Sequence, residues 1–235
     1  MQSTLYWLTC LILSHILSDF PLQPRKLIAL KTSFGGKLMH GAIHGLLGYL
    51  ICGQWNLWYL PGFILIFHVL IDFVPKESWR LFVLDQVLHV LALCLLVVLL
   101  PFSEEVSLSL SRIWFMRILV ILAGISGITL GTGILIGKIM AEHTRNNRLE
   151  LAGLTNGGLW IGCLERMLIL VFILFDMPSG IGFLITAKSI LRFGGVKDEQ
   201  KMAEYVLIGT LMSFGLAITG SLLIQFVLKM FQPGV

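Results

Sequence analysis

The sequence predicts an all-α fold, a polytopic membrane helical bundle of seven or eight transmembrane segments. Three observations predict it. Of 235 residues, 57% are hydrophobic and only 13% charged, with a mean hydropathy of +0.90; a soluble domain carries about 25% charged residues. The apolar residues fall in long runs, several near the roughly 20 residues that a helix needs to cross hydrocarbon. No strand-like alternation stands out, and a closed barrel would not show runs of this length.

The runs cover residues 4–20, 38–53, 57–74, 81–100, 113–137, 157–176, 180–193 and 203–230. The first follows Met1–Thr4, which holds no basic residue, and it contains no small-residue cleavage site, so a cleaved signal peptide is not expected. The second run is short. The fifth carries Gly124, Gly127, Gly131, Gly133 and Gly137, with two GxxxG spacings. Small residues let helices approach closely in lipid, so packing is the expected role, and an oligomer could form through this helix, 113–137. The sixth run carries Glu165 and Arg166 near its middle, and the seventh carries Lys188 and Arg192 at i,i+4. The seventh either spans the bilayer or is re-entrant or interfacial. Residues 197–201, Lys-Asp-Glu-Gln-Lys, read as a solvated mixed-charge loop. The chain divides at this level into a four-helix region, 1–100, and a C-terminal helical region, 101–235.

The loops set the orientation. Segment 21–37 holds Arg25, Lys26, Lys31 and Lys37 without an acid, 75–80 holds Lys76 and Arg80, and 138–156 holds Lys138, Arg145 and Arg148. The alternate loops are 54–56, uncharged, and 101–112, where Glu104 and Glu105 face Arg112 alone. The positive-inside rule puts the basic set in the cytoplasm and the N-terminus outside. The net charge of +4 is explained by these loops and does not suggest nucleic acid; the expected partners are membrane lipids. Cys10, Cys52, Cys94 and Cys163 lie in apolar runs with no CxxC spacing and read as small buried thiols.

Against this apolar background, four pairs of ionisable residues recur at i,i+4 in the first ninety residues: His15 and Asp19, His40 and His44, His68 and Asp72, Asp85 and His89. Residues four apart on a helix share a face. With helices 1 and 3 running inward and helices 2 and 4 outward, all eight lie within roughly 3–14 Å of the cytoplasmic boundary at 1.5 Å of rise per residue. The order inverts as helix direction inverts, which leaves Asp72 and Asp85 nearer the surface and His68 and His89 deeper. Ionisable groups inside a bilayer are costly and by default mark function, and histidine with carboxylate is the ligand set for zinc, manganese or iron. Five His and three Asp would suffice for one or two ions. An Asp left free of metal could act as general base, with Asp72 and Asp85 the candidates; spacing alone does not divide ligand from base.

Three other readings compete. Interhelical hydrogen bonds would account for one such pair more readily than for four in one layer. Haem ligation does not need a carboxylate one turn away. A proton or divalent-cation path uses the same chemistry, but should place acidic groups through the whole membrane, and the outer halves of helices 1 to 4 are apolar. His143, in the segment after the fifth run, stands among Arg and Asn and reads as solvent-facing. Glu165, Arg166, Lys188 and Arg192 read either as a buried ion-pair cluster or as a site for an anionic lipid or substrate head group.

The runs LILSHILSDFPLQ, MHGAIHGLL, IFHVLIDFVP and VLDQVLHVLAL resemble the bacterial membrane family of domain of unknown function 3307 across about the first half of the chain. The second-half runs GGLWIGCLERMLIL, GIGFLITAKSILRFGGVKD and AEYVLIGTLMSF resemble the C-terminal part of its longer members. More loosely, the His-x-x-x-Asp helices are similar to those of integral-membrane metal-dependent hydrolases. That resemblance implies a metal role for His15, Asp19, His40, His44, His68, Asp72, Asp85 and His89, least firmly for His40 and Asp19. The expected function is a metal-dependent hydrolase of the bacterial cytoplasmic (inner) membrane, acting from the cytoplasmic side on an amphipathic lipid ester or lipid phosphate. Its ion is expected to be zinc, with manganese and iron as other fits. The competing expectations are a divalent-cation or proton transporter using the same layer, or a membrane scaffold with a structural metal.

Overall fold

A computed structural model describes residues 2–103, 106, 109–147, 157–193 and 200–232. Every regular element among them is helical: α1 (Gln2–Asp19), α2 (Arg25–Leu30), α3 (Phe34–Cys52), α4 (Leu60–Ile71), α5 (Trp79–Leu99), α6 (Leu110–Ser126), a π-helical turn (Gly127–Gly131), α7 (Thr132–Asn147), α8 (Gly157–Leu174), α9 (Pro178–Phe193) and α10 (Gln200–Met230). Four stretches, Trp79–Leu99, Leu110–Asn146, Gly157–Leu174 and Ala203–Met230, are long and apolar enough to cross a membrane by length and composition. They suggest a membrane protein. The third apolar run yields a shorter helix than its length implies: α4 has 12 residues, roughly 18 Å of rise. The fifth run extends beyond 137 through α7, so His143 lies on a helix, half-buried beside Tyr205, and not in a solvent-facing loop.

The chain forms two compact units, residues 1–123 and 124–232. In the first, α1 packs on α3 and α5, and α4 packs on α3 and α5, so the four helices close a ring. Local chemistry fixes the helix ends. Ser33 accepts from the Gly36 amide and Ser78 from the Leu81 amide, each giving an otherwise orphaned N-terminal donor a partner. Pro lies in the first turn of α4, where its missing N–H costs nothing. Gly53 ends α3 at φ +66°, a left-handed cap that a side chain would strain. Beyond it, the Arg112 guanidinium donates to the carbonyls of Ile51 and Cys52 and to the Tyr6 hydroxyl.

The ring closes tightly because α3 carries a glycine stripe facing α4. A Cβ on Gly41 would meet Val69 and the Leu65 carbonyl, one on Gly45 the Pro61 carbonyl, and one on Gly48 the Ile64 side chain. This is small-residue packing of the kind lipid favours. Cys10, Leu11, Leu60, Leu96 and Met116 fill the interior, whereas Leu46, Leu50, Ile66, Leu70, Leu91 and Val98 are exposed. An apolar outer face around buried His and Asp reverses the pattern of a water-soluble bundle.

In the second unit α10 packs on α7 and α8, and α9 packs on α8. The glycines of the fifth run divide in role. A Cβ on Gly124 would strike Ile224 and one on Gly133 the Arg166 guanidinium, whereas one on Gly137 would meet nothing within 4 Å. Packing therefore explains the first two and not the third.

Candidate metal centre

All eight His and Asp residues singled out in the first half are buried, and they converge on the middle of the α1–α3–α4–α5 ring. The rings of His44 and His68 stack at 3.7 Å between centroids, those of His68 and His89 lie 4.3 Å apart, and those of His15 and His89 lie 4.9 Å apart. The glycine stripe makes this possible. With Gly41 and Gly45 next in sequence to His40 and His44, the α3 backbone comes near enough to α4 for imidazoles from both helices to stack.

The closest cluster is a triangle. Asp19 Oδ1 lies 3.0 Å from His40 Nε2 and 3.3 Å from His44 Nε2, and the two Nε2 atoms are 3.2 Å apart. As Nε2–H tautomers both histidines can donate to Asp19 Oδ1, and as Nδ1–H tautomers they turn two nitrogen lone pairs and the carboxylate oxygen toward one point. With metal–ligand bonds of about 2.0 Å, the edge of a tetrahedral site is about 3.3 Å, so the triangle has the dimensions of one face of such a site. His68 brings a ring nitrogen within 4.8 Å of this set, and it also joins a second group with Asp72 and His89. These buried groups could hold a metal ion.

Unpaired atoms point the same way. Nε2 of His68 and of His89 is buried without a hydrogen-bond partner, a state that native interiors rarely leave unexplained. His89 Nδ1 lies 2.8 Å from the Asp85 backbone carbonyl. A carbonyl can only accept, so Nδ1 carries the proton and Nε2 presents its lone pair inward, the tautomer a ligand needs. A small void of about 20 Å³ adjoins His15, His44, His68 and His89, about the room one water or ion requires.

The carboxylates divide by environment. Asp19 meets the histidines directly. Asp72 and Asp85 are bridged by Lys76, whose Nζ lies 2.7 Å from Asp72 Oδ1 and 2.9 Å from Asp85 Oδ1, and Lys31 lies 3.1 Å from Asp72 Oδ2. Burial alone would lower the Lys76 pKa, but Asp72 and Asp85 outweigh it and hold the value above the ordinary lysine range. At Lys31 burial prevails, helped by the neighbouring Lys76, and the value falls despite Asp72 and Asp19. Gln86 joins two carboxylates, donating to Asp19 Oδ2 and Asp85 Oδ2 at 3.1 Å each.

Lys31, Lys76 and Gln86 were not among the residues the sequence singled out. Lys76 follows Asp72 by four, a signal present in the sequence but absorbed into the topology argument. Gln86 is the neighbour of Asp85 and looks like an ordinary polar helix residue. Lys31 reaches Asp72 across 41 positions of sequence (72 − 31), which no local pattern reveals.

In the second unit, Lys188 Nζ pairs with Glu165 Oε2 at 2.7 Å, while the buried Arg166 donates to the Thr129 carbonyl at 2.8 Å and to Ser213 Oγ at 3.2 Å. The Arg192 side chain lies outside the described residues.

No curated protein and no solved structure matches the chain. Residues 7–119 match the model of a family described as Protein of unknown function (DUF3307), a stretch that contains all eight residues of the His/Asp layer.

Proposed function

We propose that the chain is an integral-membrane metal-dependent hydrolase of a bacterial inner membrane. Its centre is built on Asp19, His40 and His44, with His68 beside them, and it acts from the cytoplasmic side on an amphipathic lipid ester or lipid phosphate. In this reading seven or eight helices are embedded and the N-terminus is outside. The triangle of Asp19 Oδ1, His40 Nε2 and His44 Nε2, with edges of 3.0, 3.2 and 3.3 Å, carries the proposal. Its dimensions and its nitrogen-rich ligands favour zinc, and three protein ligands with a further position for water or substrate is the catalytic pattern for that ion. A bound zinc would supply an acidified water and a positive charge for the oxyanion that develops during ester cleavage.

The remaining residues support that centre. When His44 offers Nε2 as ligand, its Nδ1 proton is donated to His15 Nδ1, 3.4 Å away, and the His15 Nε2 proton then faces Asp19 Oδ2 at 3.6 Å. This makes His15 a positioning residue. Asp72 is the candidate base in this reading: Oδ2 lies 3.6 Å from His68 Nε2, and Lys31 and Lys76 keep the carboxylate ionised. The Asp85 carboxylate is fully buried between Lys76 and Gln86, where it holds the lysine, while its backbone carbonyl orients His89. The transport reading is less well supported, because the buried Leu11, Ile64, Leu93 and Leu96 surround the void and the neighbouring core with apolar side chains.

Elemental analysis of the protein purified in mild detergent, beside a His40→Ala, His44→Ala double variant, tests the centre. Near-stoichiometric zinc in the parent, lost in the variant, is expected, followed by lipid-ester turnover that fails with the metal. No metal in either protein after chelator-free purification overturns the reading, as does bound metal whose removal changes no turnover in a broad screen of lipid esters and lipid phosphates.

A further inference from the structure

The second unit contains a cavity of about 820 Å³ between α7, α8, α9 and α10. Its volume is in the range of sites for small molecules. Gly137, Met140, Gly158, Leu184 and Val206 give it mainly apolar walls, and Glu165, Arg166, Lys188, Tyr205, Thr210 and Ser213 supply polar groups. An apolar cavity with a few convergent polar groups is how proteins hold amphiphiles.

Arg166 is the distinctive member. Its side chain is 4% exposed, yet Nε has no hydrogen-bond partner. The other two nitrogens are held in place by the Thr129 carbonyl and Ser213. Thr129 belongs to the π-helical turn Gly127–Gly131, and such turns depart from the ordinary i→i−4 ladder and often occur at functional sites. Two glycines make room for the guanidinium. A Cβ on Gly133 would stand 2.9 Å from one terminal nitrogen, and a Cβ on Gly162 would stand 2.9 Å from the other.

Charge completes the argument. Glu165 is paired with Lys188, and no acid among the described residues forms an ion pair with Arg166. Among its described lining residues the cavity therefore carries one buried positive charge in excess, and buried charges in a membrane protein ordinarily have counter-charges. The guanidinium fork matches the oxygens of phosphate or carboxylate. We infer that this cavity binds the phosphate or carboxylate head group of an amphiphile at Arg166, with the alkyl part against Gly137, Met140, Leu184 and Val206. The inference stands on the second unit alone and does not depend on the metal centre.

Calorimetric titration of the full chain in detergent with octyl phosphate tests it, with octanol and inorganic phosphate as comparison ligands. Saturable binding of octyl phosphate is expected, at least tenfold tighter than either comparison ligand. Arg166→Gln is expected to weaken it at least tenfold, and Gly162→Ala, which pushes the guanidinium aside without removing its charge, to weaken it less. His44→Ala is expected to leave it unchanged, which separates this site from the metal reading. Absence of saturable binding overturns the proposal, and so does parent-like affinity in Arg166→Gln. Inorganic phosphate binding as tightly as octyl phosphate replaces the amphiphile with a free anion and overturns it as stated. Should Arg166→Gln fail to fold, parent-like affinity in Gly162→Ala overturns it.

Discussion

Gly45 of α3 faces Pro61 of α4 so closely that a Cβ at position 45 would stand 2.4 Å from the Pro61 carbonyl oxygen. The contact lies one residue beyond His44 in sequence, so the spacing that brings α3 to α4 also sets the depth at which His44 meets His68.

Gly45→Ala is expected to separate the two helices. The obstacle is backbone and cannot rotate away, so the cost is that of overpacking, about 1–3 kcal/mol. Bound metal per chain is expected to fall with it. Gly62→Ala is the matched control on α4, where an added Cβ meets nothing within 4 Å. It is expected to be neutral or slightly stabilising, since alanine is the better helix former by up to about 1 kcal/mol. Thermal unfolding and elemental analysis of both variants check this, and equal behaviour would remove the glycine stripe from the account.

Ligands and positioning residues separate by how metal affinity responds. Replacing His44 or His40 by Ala deletes a corner of the triangle and is expected to abolish stoichiometric zinc. Replacing His15 by Phe keeps the ring volume but removes the acceptor 3.4 Å from His44 Nδ1. Loss of such an outer partner typically weakens metal binding 10–100-fold, so His15→Phe should bind zinc at high concentration and lose it to a chelator that the parent resists. A competition titration reads the difference, and complete loss in His15→Phe would make it a ligand.

The layer was legible because its signal is local. His and Asp at i,i+4 share a helix face, and such residues are conspicuous in apolar runs. Which atoms meet was not legible, since the Asp19–His40–His44 triangle depends on the separation of α1 and α3, and that separation depends on side chains and glycines far apart in sequence. Gly41, Gly45 and Gly48 passed unremarked although they stand beside the histidines, because the GxxxG spacings of the later helix drew the packing argument. The short α2, which ends beside Lys31, and the π turn at 127–131 also escaped the pattern. A six-residue helix has too few turns for periodicity to show, and one shifted hydrogen-bond ring leaves no trace in hydropathy.

Lys76 is expected to be a stability residue for the centre. It bridges Asp72 and Asp85, which are 1% and 0% exposed in their side chains. Lys76→Met leaves two buried carboxylates without their shared cation. Breaking such a pair from one side costs about 3–5 kcal/mol, and the lower end applies because Lys76 itself is only half-buried. Lys76→Arg keeps the charge and should retain most of the stability. Denaturation of the two variants side by side is the measurement, and equal stability of Lys76→Met and parent would assign Asp72 and Asp85 to other partners.

The Glu165–Lys188 pair allows a sharper distinction. Each residue alone leaves a charge behind, so Glu165→Leu leaves Lys188 and Arg166 as two cations lining one cavity, and Lys188→Met strands Glu165 next in sequence to Arg166. The two losses are unequal. Glu165→Leu leaves two positive groups near one cavity and should be the more destabilising, within the range of about 3–5 kcal/mol for a broken buried pair. Lys188→Met should cost less. The double variant Glu165→Leu, Lys188→Met removes both charges and replaces them with apolar groups of similar volume, an exchange often neutral or stabilising for buried pairs. Its unfolding free energy should therefore lie closer to the parent than either single variant, a coupling outside the 0.3–0.5 kcal/mol scatter of independent sites. Additive losses would mean that the 2.7 Å contact contributes nothing as a pair. A larger loss in Lys188→Met than in Glu165→Leu would mean that the cavity favours positive charge, and the anion assigned to Arg166 would then have no electrostatic basis.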